Sequence, residues 1–170
     1  IDLERQRAWV DEVAAELAPR LHSASVMQAA RHRYLLARLK RQLRWSFALL
    51  LVHAQRSRFR PVALEAGFGL REPGSWPPYA IDVDGLTLLL RGRIDRIDAC
   101  EIDGRRWLRI IDYKRSAKAF RLDELYAGIN LQLPLYLAVA LKQLAGGGEP
   151  PLPAGFYFMS LQEPRLEEDT

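Results

Sequence analysis

Apolar side chains recur with helical spacing through the first third of the chain. Residues 2 to about 18 are rich in Ala, Glu and Leu and contain neither Gly nor Pro before Pro19, which predicts a first helix. Ser23 or Ser25 can cap a second, longer helix that runs to about Phe59. Its apolar positions follow a helical period, so we expect them to form a stripe that packs on another element. They are Leu35, Leu36, Leu39, Leu43, Phe47 and Leu50.

From Pro61 onward the pattern is that of β-strands. Residues 61–70 read as one strand, and residues 71–78 hold three prolines and a glycine, which indicates a loop. Two Asp-Gly pairs then mark hairpin turns. Asp84-Gly85 joins residues 79–83 to 86–90, and Asp103-Gly104 joins residues 93–102 to 107–113. Together these segments predict an antiparallel meander.

A helical pattern returns at residues 122–144 and is interrupted only by Gly128 and Pro134. Pro134 is tolerable there as a kink or in an early turn. After a break rich in Gly and Pro, residues 154–160 predict a last strand. This order predicts an α/β fold with a central mixed sheet flanked by helices. We expect a basic helical part at residues 1–60, a core at 61–160 and a tail at 161–170.

Composition and length exclude several classes of protein. The 170 residues are 49% hydrophobic and 27% charged, which is typical of one globular domain. The longest apolar run, residues 47–52, is far too short to span a bilayer, and we expect no membrane partner. The single cysteine, Cys100, cannot form a disulfide framework, a structural zinc site or an iron–sulfur cluster. A reducing, cytoplasmic location fits this composition.

Positive charge is concentrated in one segment although the net charge is only +4. No acidic residue lies between Glu16 and Glu65, whereas ten basic residues do. Such a density of one sign attracts polyanions, most often nucleic acid, although a solvated helix face is the alternative. The residues predicted to contact DNA phosphates are Arg31, Arg33, Arg38, Lys40, Arg41 and Arg44.

The candidate chemistry lies in two neighbouring predicted strands. Asp112 and Lys114 follow the apolar pair at 110–111 and are two residues apart, so their side chains share one face, roughly 6.5 Å apart along the strand. Asp95 lies on the preceding strand, and hairpin pairing can bring it beside Asp112. Two adjacent carboxylates repel unless a proton or cation lies between them. A hard cation such as Mg2+ or Mn2+ would resolve this, with the Tyr113 carbonyl as a further oxygen ligand.

Lys114 can orient or help to deprotonate a water at such a site, or it can neutralise charge on a phosphate. A simple surface salt bridge between Asp112 and Lys114 is the alternative.

Taken together, Asp95, Asp112-Tyr-Lys114 and Gln132-Leu-Pro-Leu-Tyr136 resemble the PD-(D/E)XK nuclease superfamily, and most of all its RecB-like branch. The segments around Tyr34 and from Pro61 to Gly69 extend the resemblance to the nuclease domain found in AddAB-type helicase–nucleases. The resemblance implies a restriction-endonuclease-like core and a metal-dependent exodeoxyribonuclease. It implies metal-binding roles for Asp95 and Asp112, a catalytic role for Lys114, and site positions for Glu65, Gln132 and Tyr136.

One departure from the family pattern concerns histidine. The family carries a histidine metal ligand on an upstream helix, but His22, His32 and His53 lie in the wrong context, so we interpret them as structural or surface residues. The family's iron–sulfur cysteines are absent as well. We therefore expect a domain excised from a longer protein, with weak metal binding or no activity when isolated.

The leading hypothesis is a Mg2+-dependent deoxyribonuclease that acts on a single strand supplied by a helicase partner, in double-strand break repair and recombination. The resemblance implies 5′-phosphate and 3′-hydroxyl products. Two alternatives stay open: a non-catalytic DNA-binding or assembly module that kept the fold, and a free-standing exonuclease of the CRISPR-associated or phage type.

Overall fold

The computed structural model describes residues 3–21, 30–114, 121–146 and 148–161. They divide into two compact units, one formed by residues 1–57 with 160–170 and the other by residues 58–159. Within the described ranges, no helix is both long enough and apolar enough to cross a membrane.

The first unit contains two helices, α1 (Leu3–Leu21) and α2 (Ala30–Arg56). The rings of Trp9 and Phe47 stack with centroids 5.3 Å apart and an interplanar angle of 26°. The Gln6 side-chain amide donates a 2.7 Å hydrogen bond to the Arg44 carbonyl, which ties the helices together. The hydroxyl of Ser46 donates to the carbonyl of Leu161 at 3.1 Å.

The apolar stripe of α2 is packed only in part, so the prediction of one continuous packed face was wrong. Phe47 meets α1 through Trp9, whereas Leu35, Leu39 and Leu43 stay between 44% and 50% exposed. Since the contacts of α1 gather around residues 40–47 of α2, these three leucines gain no cover from it. The cap predicted at Ser23 or Ser25 lies outside the described residues.

The second unit contains six strands in two sheets. They are β1 (Arg60–Phe68), β2 (Tyr79–Val83), β3 (Leu86–Leu90), β4 (Gly92–Ile102), β5 (Arg105–Lys114) and β6 (Leu152–Ser160). A four-stranded mixed sheet has the order β1-β4-β5-β6, and β2 pairs only with β3. The strands therefore form the predicted α/β arrangement, with β4 and β5 at the centre of the larger sheet.

Both predicted hairpins form, and their turns explain why. Asp84 and Gly85 have φ of 48° and 80°, and Asp103 and Gly104 have φ of 51° and 72°. Two successive positive φ angles define the turn that matches strand twist, and Asp-Gly adopts it at low cost. The strand pairs are divided between two sheets, because β1 pairs directly with β4 and takes the position next to it.

The predicted helix at 122–144 is two helices, α3 (Leu122–Tyr126) and α4 (Gln132–Gln143). Gly128 ends α3 with φ of 73°, and its N–H donates to the Leu125 carbonyl while the N–H of Ile129 donates to that of Glu124. These two bonds satisfy carbonyls that the helix end would otherwise leave unpaired.

Pro134 is the third residue of α4, so the predicted early-turn position is confirmed. The first intrahelical donor is the N–H of Leu135, which reaches the Leu131 carbonyl at 3.0 Å. Because the N–H groups before it have no partner within a helix, the proline forfeits no hydrogen bond.

One face of α4 covers the sheet. Its buried residues Leu133, Leu137, Val139 and Ala140 belong to a single apolar cluster with the β4 and β5 side chains. Those strand side chains are Ile94, Ile97, Ala99, Leu108 and Ile110. This packing fixes the start of α4 against the end of β5.

Replacing Leu133 by Ala should lower the free energy of unfolding by about 2–5 kcal/mol, because the side chain is fully buried and its removal leaves a cavity. Leu122→Ala, on the neighbouring helix at 72% exposure, is the matched control and should change it by less than about 0.5 kcal/mol. Urea unfolding followed by circular dichroism measures both, and equal effects would contradict this view of the core.

Candidate active site

Asp112 lies near the end of β5 and is almost completely buried. The ammonium nitrogen of Lys114 is 2.6 Å from its Oδ2 atom, and the side-chain amide of Gln132 donates to its Oδ1 at 3.3 Å. The Lys114 ammonium also lies 5.4 Å from the centre of the Phe158 ring. The structure therefore brings Asp112 and Lys114 together on one side of β5, as the two-residue strand repeat indicates.

Asp95 lies on β4 beside the same end of β5. The last paired positions of the two strands there are Arg96 and Ile111, so Asp95 and Asp112 come next on their respective strands. The Oδ2 atom of Asp95 accepts a 2.8 Å hydrogen bond from the N–H of Tyr113. A carboxylate thus takes the main-chain donor immediately after Asp112, which places Asp95 next to the candidate centre.

The oxygen atoms at this position suit a hard divalent cation. Asp112 Oδ2 is buried, and the approach of Lys114 lies outside hydrogen-bonding angles, so no described residue donates a hydrogen bond to it. Among the residues that the structure describes, no three His, Cys, Asp or Glu side chains converge in a metal-holding group. A cation here would rely on Asp95, Asp112, the Tyr113 carbonyl and water, a set that Mg2+ accepts because it keeps several waters.

Glu65 is placed less favourably than the resemblance implies. Its neighbours Leu64 and Ala66 pair with Arg96 and Ile94, so counting along β1 places Glu65 opposite Asp95. Its φ of 49° is left-handed, a conformation that costs a non-glycine residue about 1–2 kcal/mol. The side chain is exposed and does not join the two aspartates in a metal-holding group.

Gln132 and Tyr136 occupy successive turns of α4 and contact each other. The Gln132 amide that reaches Asp112 also lies 3.2 Å from the Tyr136 hydroxyl, to which it donates. The Tyr136 ring meets Phe68 edge-on, with centroids 5.9 Å apart. A Cβ atom at Gly92 would lie 3.0 Å from the Phe68 ring and 3.4 Å from Tyr136. The glycine thus leaves room for the aromatic pair that supports Gln132.

Sequence reasoning missed a buried ionic cluster on the same two strands. Asp98 is fully buried, and Arg96 grips it with two hydrogen bonds of 2.6 and 3.0 Å. Arg109 donates two more to the same carboxylate at 3.1 and 2.8 Å, and its guanidinium lies 4.6 Å from the Phe59 ring centre. The signal was present as Asp98 within Arg-Ile-Asp, but only strand pairing reveals Arg109 as its partner.

Arg96 also reaches Tyr113, whose hydroxyl accepts a 3.2 Å hydrogen bond from its Nη1 atom. Burial alone would lower the pKa of Arg96, but the hydrogen bonds to Asp98 and Tyr113 outweigh it and raise the pKa above its ordinary value. The guanidinium is therefore a permanent positive charge held between these two side chains.

The basic helix keeps fewer uncommitted charges than the sequence suggests. Lys40 and Arg44 lie 3.1 and 2.6 Å from the Asp11 carboxylate of α1. Hydrogen bonding from Lys40, against a smaller opposing effect of burial, and the charge of Arg44 lower the pKa of Asp11. The other predicted DNA contacts, Arg31, Arg33, Arg38 and Arg41, are exposed on α2.

The three histidines and the cysteine have these positions. His53 is half-buried on α2, whereas His22 and the side chain of His32 lie outside what the structure describes. Cys100 is buried on β4, in agreement with its interpretation as a small interior residue.

The order of helices and strands, and the acidic pair with its lysine at the end of β5, are those of a metal-dependent nuclease. The family model for the PD-(D/E)XK nuclease superfamily matches residues 1–169. The chain therefore belongs to the PD-(D/E)XK nuclease superfamily.

More particularly, the chain is similar to bacterial proteins whose name makes them one subunit of an ATP-dependent helicase/deoxyribonuclease. It is 42% identical over 171 residues to the protein of Symbiobacterium thermophilum, a match that covers 95% of this chain and 14% of that protein. It is 38% identical over 173 residues to the protein of Pelotomaculum thermopropionicum, covering 99% of this chain and 15% of that protein. The chain thus spans about a seventh of the length of such relatives.

Asp98→Ala should lower the free energy of unfolding by about 3–5 kcal/mol, because it leaves two buried guanidinium groups without their counter-charge. Asp123→Ala is the matched control: that acid pairs with Arg121 in the open and should change the stability very little. Equilibrium unfolding in urea measures both variants. Similar midpoints for both would mean that the cluster does not hold the sheet together.

Proposed function

We propose that this chain is the nuclease domain of a helicase–nuclease and that it hydrolyses DNA phosphodiester bonds as a Mg2+-dependent exodeoxyribonuclease. The observation that carries the proposal is the group at the end of β5: Asp112 with one oxygen lacking a hydrogen-bond donor among the described residues, Lys114 at 2.6 Å, and Asp95 bound to the next main-chain N–H. Membership of a nuclease superfamily supports the same reaction.

Asp95, Asp112 and the carbonyl of Tyr113 would hold the cation in this proposal. When bound, Mg2+ would supply Lewis-acid polarisation of the phosphate and of an attacking water. Asp112 is buried and already held by Gln132, so its carboxylate needs little reorganisation to bind. Asp95 is likewise fixed through its bond to Tyr113. Preorganised oxygen atoms favour charge stabilisation at the reaction centre.

Lys114 would act on the substrate rather than on the cation. Its ammonium is 29% exposed as a side chain, so a phosphate entering the site can approach it. A positive charge there offsets the negative charge that develops on the phosphate during in-line attack. Gln132 and Tyr136 would keep Asp112 and the DNA strand in place, because both belong to α4, whose buried face is packed against the sheet.

The substrate we propose is single-stranded DNA held by its backbone. Arg31, Arg33 and Arg38 project from α2, are exposed, and have no acidic residue near them in sequence. Guanidinium groups on a helix contact phosphates without reading bases. Lys40 and Arg44 contribute less in this view because Asp11 already neutralises them in part.

The biological setting we propose is double-strand break repair and recombination, with a helicase partner that supplies the strand. The names of the relatives support this, since each is described as a subunit of an ATP-dependent helicase/deoxyribonuclease. The 38–42% identity over almost the whole chain supports a shared role for this segment.

Asp112→Ala should lower the rate of Mg2+-dependent cleavage of single-stranded DNA at least about 10³-fold, because several kcal/mol of charge stabilisation are lost with the cation. End-labelled oligonucleotides in gel assays measure the rate. Asp82→Ala, which removes an exposed acid from β2, is the control and should cut like the wild type. Equal rates for wild type and Asp112→Ala would refute the enzymatic role and leave a DNA-binding module.

Replacing Arg31, Arg33 and Arg38 together by Ala should weaken single-stranded DNA binding. It should also reduce the slope of log affinity against log salt by about 2, since each phosphate contact on a single strand contributes about 0.7. The same three positions changed to Lys keep the charge and should keep the slope. Fluorescence anisotropy at several salt concentrations measures both, and an unchanged slope in the alanine variant would exclude α2 as the phosphate-binding surface.

A further inference from the structure

Tyr113 connects the candidate metal site to the buried ionic cluster. Its main-chain N–H donates to Asp95 Oδ2 at 2.8 Å, and its carbonyl is one of the proposed cation ligands. Its side-chain hydroxyl, on the other side of β5, accepts a 3.2 Å hydrogen bond from Arg96. One residue therefore has its peptide group at the site and its ring anchored behind the sheet.

The anchor behind the sheet is itself rigid. Arg96 binds both oxygens of Asp98, at 2.6 and 3.0 Å, which fixes the plane of its guanidinium. Asp98 is fully buried and is gripped a second time by Arg109. Neither Arg96 nor Asp98 can leave this arrangement without exposing an unpaired buried charge, which is costly. The Tyr113 hydroxyl thus meets a partner that does not move.

Asp95 and Arg96 are consecutive on β4, so the site and the anchor share one stretch of backbone. Asp95 is held through Tyr113, and Tyr113 is held through Arg96. This closes a loop of contacts between β4 and β5 at the point where their regular pairing ends, after Arg96 and Ile111. Side-chain contacts replace the ladder there.

We propose that Arg96, supported by Asp98 and Arg109, is a positioning residue that orients the Tyr113 peptide and the Asp95 carboxylate for divalent-cation binding. This inference rests on the proposed function of the site. Groups that orient metal ligands without touching the metal typically change metal affinity 10- to 100-fold when they are lost. Removing the Tyr113 hydroxyl leaves every proposed ligand atom in place and removes only the anchor.

The test measures Mn2+ binding by calorimetry and by electron paramagnetic resonance, with no DNA present. Tyr113→Phe should bind Mn2+ about tenfold more weakly than the wild type while its melting temperature in EDTA is unchanged. Tyr157→Phe is the matched control, since it removes a hydroxyl from an exposed tyrosine on β6 and should bind Mn2+ like the wild type. A purely structural contact would shift the melting temperature without this selective loss of affinity.

Arg96→Lys provides a second variant, because one ammonium group cannot replace the guanidinium that serves Asp98 and Tyr113 together. It should show the same tenfold loss of Mn2+ affinity wherever it remains folded. If Tyr113→Phe binds as tightly as the wild type, or no more weakly than Tyr157→Phe, the positioning role is overturned.

Asp112→Ala separates this failure from failure of the proposed function. Wild type that binds Mn2+ no better than Asp112→Ala overturns both the cation site and the inference built on it. Wild type that binds better than Asp112→Ala but no better than Tyr113→Phe overturns the positioning role alone.

Discussion

The register between β4 and β5 is the constraint on which the rest of the site depends. It pairs Asp98 with Arg109 and Arg96 with Ile111, and so brings Asp95 and Asp112 to adjacent strand ends. Since side chains alternate between the two faces of a strand, a slip of one residue would transfer each of them to the opposite face. The Asp103-Gly104 turn fixes the register at one end, and the four hydrogen bonds to Asp98 fix it in the middle of the strands.

The two sides of this strand pair have different electrostatic roles. Behind the sheet, the charges of Arg96, Asp98 and Arg109 are mutually compensated and buried, which makes the cluster rigid rather than reactive. At the site, Asp112 keeps a buried oxygen without a hydrogen-bond donor among the described residues. That oxygen is unfavourable in the free protein and becomes favourable when a cation binds. A stable cluster therefore supports a site that a cation would complete.

Features encoded over a few residues were predictable. Both Asp-Gly turns, the shared side of Asp112 and Lys114, and the early-turn position of Pro134 follow from backbone rules that act within one turn or one strand repeat. Partners distant in sequence were not predictable. Asp11 takes up Lys40 and Arg44, and the leucines of α2 at 35, 39 and 43 remain exposed, because both outcomes depend on where α1 packs.

The sequence by itself determined the element types, the hairpin turns and the presence of an acid–lysine pair at a strand end, because side-chain periodicity and turn chemistry are local properties of the chain. Only the tertiary structure decided that Arg109 joins Arg96 on Asp98, that Gln132 reaches Asp112, and that Tyr113 spans the two groups. Those contacts depend on strand register and on helix packing, in which free energy is shared among residues that the sequence keeps apart.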